Sequence, residues 1–150
     1  MRYGHRAESS SDLQDMYFRT RTEGFGDEVK RRIMLGTFVL SAGYNEEYFT
    51  KAQKIRRLIY DKTKQIFNDF DFLISPTSPN TAFDIGLKYT DPTKIYLQDI
   101  FTVQANLSGN PAISVPIGIN RNNLPVGMHI MSAHFNEYNL LYFSKKLSNQ

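Results

Sequence analysis

Two ionic side chains sit where the chain is otherwise building a core. Arg32 is followed by eight almost wholly apolar residues, Ile33 to Leu40. At about 100° per helical residue it lies about 60° round from Val29, whereas Arg31 points to the opposite side. A partly buried guanidinium needs a carboxylate, from the protein or from a ligand, and its planar fork grips a carboxylate in two places. Asp99 stands between Tyr96 and Val103 with no basic residue three or four positions away. An acid so placed suits a cationic group such as an ammonium. The plainer assignments are an internal salt bridge for Arg32 and an exposed helix flank for Asp99. Were the two to converge, one would hold a carboxylate and the other an amino group, the handles of a free α-amino acid.

No hydrolytic machinery accompanies them. His5, His129 and His134 are scattered: His5 and His134 are expected at the surface and His129 in a strand. No Ser/His/Asp order is persuasive. Ser75-Pro-Thr-Ser-Pro79 is rich in hydroxyls but has no base near it in sequence. There is no glycine-rich phosphate loop and no carboxylate cluster with metal spacing.

The elements that must position these residues follow from periodicity and punctuation. Ser9-Ser10-Ser11-Asp12 offers caps for a short helix that ends near Glu23-Gly-Phe-Gly26. A second helix begins at Asp27, its cap. Val29, Ile33, Gly36 and Leu40 form one stripe and Met34, Leu35, Phe38 and Val39 cover most of the rest, which predicts a buried helix. Tyr48, Ala52, Ile55, Ile59, Ile66 and Phe70 predict a long helix over 46–70, spanning roughly 37 Å. A short strand over 71–76 stops at Pro76 and Pro79.

Residues 77–89 read as irregular. Asp91-Pro92 signals a helix start, and Tyr96, Ile100, Val103 and Leu107 carry that helix to Ser108-Gly-Asn-Pro111. Strands over 112–118 and 125–131, separated by Asn120-Arg-Asn-Asn123, predict an antiparallel hairpin. A last helix runs over 135–147, with Asn136 as its cap candidate. The order is an α/β pattern with too few strands for a complete sheet, so at least one edge is left open and the chain reads as part of something larger.

The 150 residues suit one domain, 1–150, with no second domain. Hydrophobic residues at 41% support a core and argue against wholesale disorder. With no cysteine there is no disulfide framework and no thiolate zinc site. No apolar run approaches the roughly 18 residues of a membrane span, and the first residues are not a secretory signal, so a cytoplasmic soluble chain is expected. The net charge of +3 has its excess at Lys51, Lys54, Arg56, Arg57, Lys62 and Lys64. These read as the solvated face of the long helix. A nucleic-acid contact, the alternative, lacks interleaved exposed aromatics or a recognised motif.

Eight collinear segments carry a family resemblance. They are Arg2-Tyr-Gly, Thr20-Arg-Thr-Glu-Gly-Phe-Gly26, Glu28-Val-Lys-Arg-Arg-Ile-Met-Leu-Gly36, Leu40-Ser-Ala-Gly-Tyr44, Lys51-Ala-Gln-Lys-Ile-Arg56, Ser75-Pro-Thr-Ser-Pro79, Asn106-Leu-Ser-Gly109 and Pro111-Ala-Ile-Ser-Val-Pro116. In this order they resemble the carboxy-terminal part of the amidase-signature family. The subfamily they look like is the A subunit of glutamyl/aspartyl-tRNA amidotransferases. The resemblance implies an α/β fold with a mixed sheet flanked by helices, of which this chain holds an incomplete portion.

It also implies a glutaminase that passes ammonia to B and C partner subunits. These amidate misacylated Glu-tRNA(Gln) or Asp-tRNA(Asn) with ATP, and the A-subunit portion itself takes no cofactor or metal. The family's serine nucleophile, cis-serine and lysine have no counterpart in this chain, which reads as a truncated frame or fragment. By the same resemblance Arg32 matches the residue that binds the glutamine α-carboxylate, and Asp99 the one that binds its α-amino group. Three positions depart from the family pattern: Asn110, His129 and Ser132 stand where Leu, Gln and Gly are usual. Another amidase-signature hydrolase, or a non-catalytic interaction module using the basic helix, are the competing readings.

Overall fold

The structure, a computed structural model, describes residues 4–86 and 92–148. It divides into two compact units, Met1–Ala52 and Gln53–Gln150.

In the first unit, helix α1 spans Leu13–Gly24. Asp12 caps it by accepting the Asp15 N–H at 2.8 Å, and Asp15 accepts the Ser11 N–H in return at 3.0 Å. That reciprocal pair satisfies donors a helix start leaves open. The Ser11 N–H, with the Arg19 guanidinium next in weight, holds the Asp15 carboxyl below its usual range. Met16 and Thr20 form its buried side, and the Thr20 hydroxyl accepts the N–H of buried Ala7.

Helix α2 spans Asp27–Val39. Its cap is Gly26, one residue before the expected Asp27, which instead joins Glu28 in the first turn where acids favour the helix dipole. The expectation of a buried helix is not met. No residue of α2 is buried, and Ile33, Met34 and Leu35 are at least half exposed. A helix apolar on most sides must be covered on most sides. Within its own unit the rings of Tyr44 and Tyr48 pack on Phe38, with centroids 4.4 and 6.3 Å away, at one end only. The long helix foreseen over 46–70 is a π-helical turn, Asn45–Thr50, followed by helix α3, Lys51–Ile66.

The second unit is organised by a three-stranded antiparallel sheet, order β1-β3-β2. The strands are β1 (Phe72–Pro76), β2 (Ala112–Ile119) and β3 (Pro125–Ser132), and the last two make the expected hairpin. Asn120 closes its turn by accepting the N–H groups of Asn122 and Leu124 on one carboxamide oxygen. Pro116 is tolerated because β2 is an edge strand in this sheet, and a bulge follows it.

The single helix foreseen over 91–107 breaks in three. Asp91 lies outside the described residues. Helix α4 covers Pro92–Tyr96, a 3₁₀ turn Leu97–Asp99, and helix α5 Val103–Ser108. The break has a local cause. Thr102 donates both its N–H and its hydroxyl to the Asp99 carbonyl, in place of regular helical bonding. Gly109, at φ +76, ends α5 in the left-handed region that glycine occupies without steric cost.

Helix α6, Glu137–Ser148, covers one face of the sheet. Ile130, Val115 and Leu140 form the buried centre, with Phe72, Ile113, Met128, Phe143 and Leu147 around it. Phe72 and Phe143 stack at 4.6 Å. Asn110 pins the corner before β2 by donating to the Ser132 carbonyl at 2.8 Å.

Ile130 is fully buried, whereas Ile117 is 57% exposed. Ile130→Ala should lower the unfolding free energy by about 2–5 kcal/mol, and Ile117→Ala by less than about 0.5 kcal/mol, in urea titrations. Equal losses at the two positions would contradict this core.

Candidate functional site

Arg32 projects from α2 into solvent, its side chain 61% exposed. The sequence suggested partial burial, and the structure corrects this: none of the residues of α2 is buried, Arg32 included. Its carboxylate partner is Glu28, one turn earlier on the same helix. Arg32 Nε lies 3.0 Å from Glu28 Oε1, while Arg31 Nη1 takes Glu28 Oε2 at 2.7 Å. One carboxylate thus spans two guanidinium groups. Such exposed pairs at helical spacing are weak, worth typically about 0–1 kcal/mol, and exchange readily for a better-placed carboxylate.

Asp99 closes the 3₁₀ turn after α4 and is exposed. Its carbonyl is engaged by Thr102, which leaves the side chain projecting from a tight turn rather than from a helix flank. Arg32 belongs to the first unit and Asp99 to the second.

A polar row that no sequence spacing reveals crosses the sheet on the face away from α6. The register places Ser75 opposite His129, and His129 opposite Ser114. Ser75 therefore does have an imidazole near it, from a strand 54 residues on: its Oγ is 3.4 Å from His129 Nδ1. Beside them the Thr77 and Ser114 hydroxyls meet at 2.6 Å. They pass over Gly127, where a Cβ would stand 2.7 Å from Thr77 Oγ1 and 2.9 Å from Ser114 Oγ. Only glycine on the central strand leaves room for that bond.

The row does not have the geometry of a catalytic dyad. The Ser75–His129 contact is long, His129 is buried, and among the described residues no carboxylate is hydrogen-bonded to the imidazole. Burial disfavours the imidazolium and pushes the His129 pKa below its ordinary value. Among the described residues no group of His, Cys, Asp and Glu could hold a metal ion. None of the described helices is long and apolar enough to cross a membrane.

With this fold and these exposed ionic groups in view, comparison with known proteins gives the class. Residues 1–141 match the family model described as Amidase, and the chain belongs to the amidase family. Within that family it is 54% identical over 141 residues to the A subunit of the glutamyl-tRNA(Gln) amidotransferase of Halothermothrix orenii, a match that covers 94% of this chain and 29% of that protein. Its counterpart from Prosthecochloris aestuarii is 51% identical over 148 residues, covering 99% and 31%.

Among solved structures, the A subunit of the glutamyl-tRNA(Gln) amidotransferase of Thermotoga maritima superposes with a TM-score of 0.62 at 50% identity, over 85% of this chain and 28% of that one. A 6-aminohexanoate cyclic dimer hydrolase, at 24% identity and a TM-score of 0.67 over 88% and 31%, shares the fold. This chain spans about 30% of the length of the curated relatives it matches.

The buried His129 sets a pH dependence with a definite sign. Its folded pKa is depressed, so the unfolded chain binds more protons below the ordinary value of 6.5. Stability contributed by this site is fully present above that value and is lost as pH falls through it towards the folded pKa. Urea midpoints should therefore drop on acidification across this range, and His129→Gln should flatten that part of the profile. A variant whose profile overlays the parent would remove His129 as the cause.

Proposed function

We propose that this chain supplies part of the glutamine pocket of a tRNA-dependent amidotransferase. Arg32 receives the α-carboxylate of glutamine and Asp99 its α-amino group. The observation that carries the reading is the presence of both ionic groups, in Lys-Arg-Arg-Ile33 and Tyr96-Leu-Gln-Asp-Ile100, in a chain 50–54% identical to A subunits of such enzymes. Their exposure supports it, because each side chain can meet a ligand. The weak Glu28 pair gives way on binding, as a substrate carboxylate met by both prongs of the Arg32 fork holds better than one shared with Arg31.

In this reading the reaction is hydrolysis of the glutamine side-chain amide. The ammonia passes to B and C partner subunits, which amidate misacylated Glu-tRNA(Gln) or Asp-tRNA(Asn) in the cytoplasm using ATP. The nucleophilic serine, its cis-serine and the lysine come from a part of the enzyme outside these residues, as does the cover for the bare apolar sides of α2. The chain itself takes no cofactor.

Two measurements test this. The purified chain alone should release no ammonia from glutamine, and release above the buffer rate would overturn the division of labour. A chimera can then be built in which this chain replaces the matching part of the Thermotoga maritima protein. There Arg32→Ala should raise the glutamine KM about 10- to 150-fold, the worth of a charge-assisted bond of about 1.5–3 kcal/mol. An unchanged KM, or hydrolysis of simple aryl amides with none of glutamine, would sink the assignment.

A further inference from the structure

An open cleft of about 670 Å³ lies within the second unit, between the polar side of α3, the end of α5 and the turn that follows β3. Arg56, Arg57, Tyr60 and Lys64 line it from α3, and His134 and Phe135 from the turn. It shares no residue with the Arg32 and Asp99 reading.

Charge is the first observation. Residues 51–66 carry six Lys or Arg and one Asp, a net of +5 against +3 for the whole chain, so the rest of the chain is net acidic. Within the cleft, Arg57 pairs with Asp61 at 3.0 Å. Arg56 spends one N–H on the Leu107 carbonyl at 3.1 Å, which fixes its guanidinium at the rim. Among the described residues neither Arg56 nor Lys64 enters an ion pair.

The aromatic groups are the second. Tyr60 carries the Arg57 guanidinium over its ring at 5.3 Å and meets the His134 ring at 5.3 Å. His134 is held in place by a 2.9 Å bond to the Ser108 carbonyl. Phe135 has φ +59, a left-handed conformation that a bulky side chain rarely adopts, and its side chain is 95% exposed. The fold therefore sustains a strained backbone that turns a bare ring towards solvent beside unpaired cations. The sequence hid this grouping, because the aromatic that accompanies the basic helix comes from a turn some 75 residues further on.

Cations that track phosphates, together with ring faces on which bases stack, are the combination that binds unpaired nucleotides. An acidic peptide would use the cations but not the exposed ring. We propose that this cleft binds a single-stranded nucleic acid segment, with backbone phosphates on Arg56 and Lys64 and one base stacked on Phe135.

The test uses the 150-residue chain and a fluorescein-labelled oligouridylate of about 12 nucleotides, a length within the range one binding module covers. Anisotropy titrations over a salt series should show binding that weakens with salt. The log–log slope should flatten by about 1.4 in the Arg56→Gln/Lys64→Gln double variant, about 0.7 for each phosphate no longer neutralised. Phe135→Asn places a residue that tolerates positive φ, so the thermal midpoint should hold or rise. Affinity should nevertheless fall about tenfold with the salt slope unchanged, as loss of one stacked base requires. Absence of binding at low salt would overturn the proposal. So would displacement by polyglutamate as effective as by unlabelled oligouridylate, or an unchanged affinity in Phe135→Asn.

Discussion

The second unit depends on the register of β3. This strand pairs on both sides, and its alternation assigns every neighbouring side chain to one of two environments. Ile130 and Met128 face α6 and close the core with Val115 and Leu140. His129 and Gly127 face the other way and carry the hydroxyl row from Ser75, Thr77 and Ser114. A slip of one residue would exchange the two sets, putting an imidazole into the apolar core and Ile130 among hydroxyls. The end of the same strand receives Asn110 at the Ser132 carbonyl. The register thereby fixes the corner that leads from Gly109 into β2.

Much of this was legible in the chain. The alternation of Ala112 to Gly118 and of Pro125 to Met131, with the Asn-rich turn between them, marked a hairpin, and the structure contains one. A cap within Ser9–Asp12 and a stop within Ser108–Pro111 were likewise readable, because each acts on its own neighbours; the structure uses Asp12 and Gly109. What could not be read were outcomes set by partners distant in sequence, or by competition within the backbone. α2 has the composition of a buried helix but none of its residues is buried, so Arg32 is exposed rather than half-buried. The helix expected through Ile100 to Val103 breaks because Thr102 turns back on the Asp99 carbonyl, a competition that apolar spacing does not register. Ser75 acquires an imidazole only through a strand pairing across 54 residues.

Membership of the amidase family changes what the bare surfaces mean. In a chain that spans about 30% of its relatives' length, exposed Ile33, Met34 and Leu35 describe a helix composed for an interior. Arg32 and Asp99 carry charges complementary to the two ends of an amino acid, and the roles proposed for them rest on the likeness of their segments to those of the A subunits. The hydroxyl row and the Asn110 corner serve architecture instead: they tie the three strands and the start of β2 to one another.

The central claim is that Arg32 reads the α-carboxylate of glutamine. It is tested most directly in the chimeric protein by comparing glutamine with the same amide lacking its α-carboxylate. Arg32→Ala should raise KM for glutamine and leave KM for the decarboxylated substrate unchanged, because the group that Arg32 contacts is then already absent. If the variant impairs both substrates to the same degree, Arg32 acts through folding or assembly and not through the carboxylate, and the account fails.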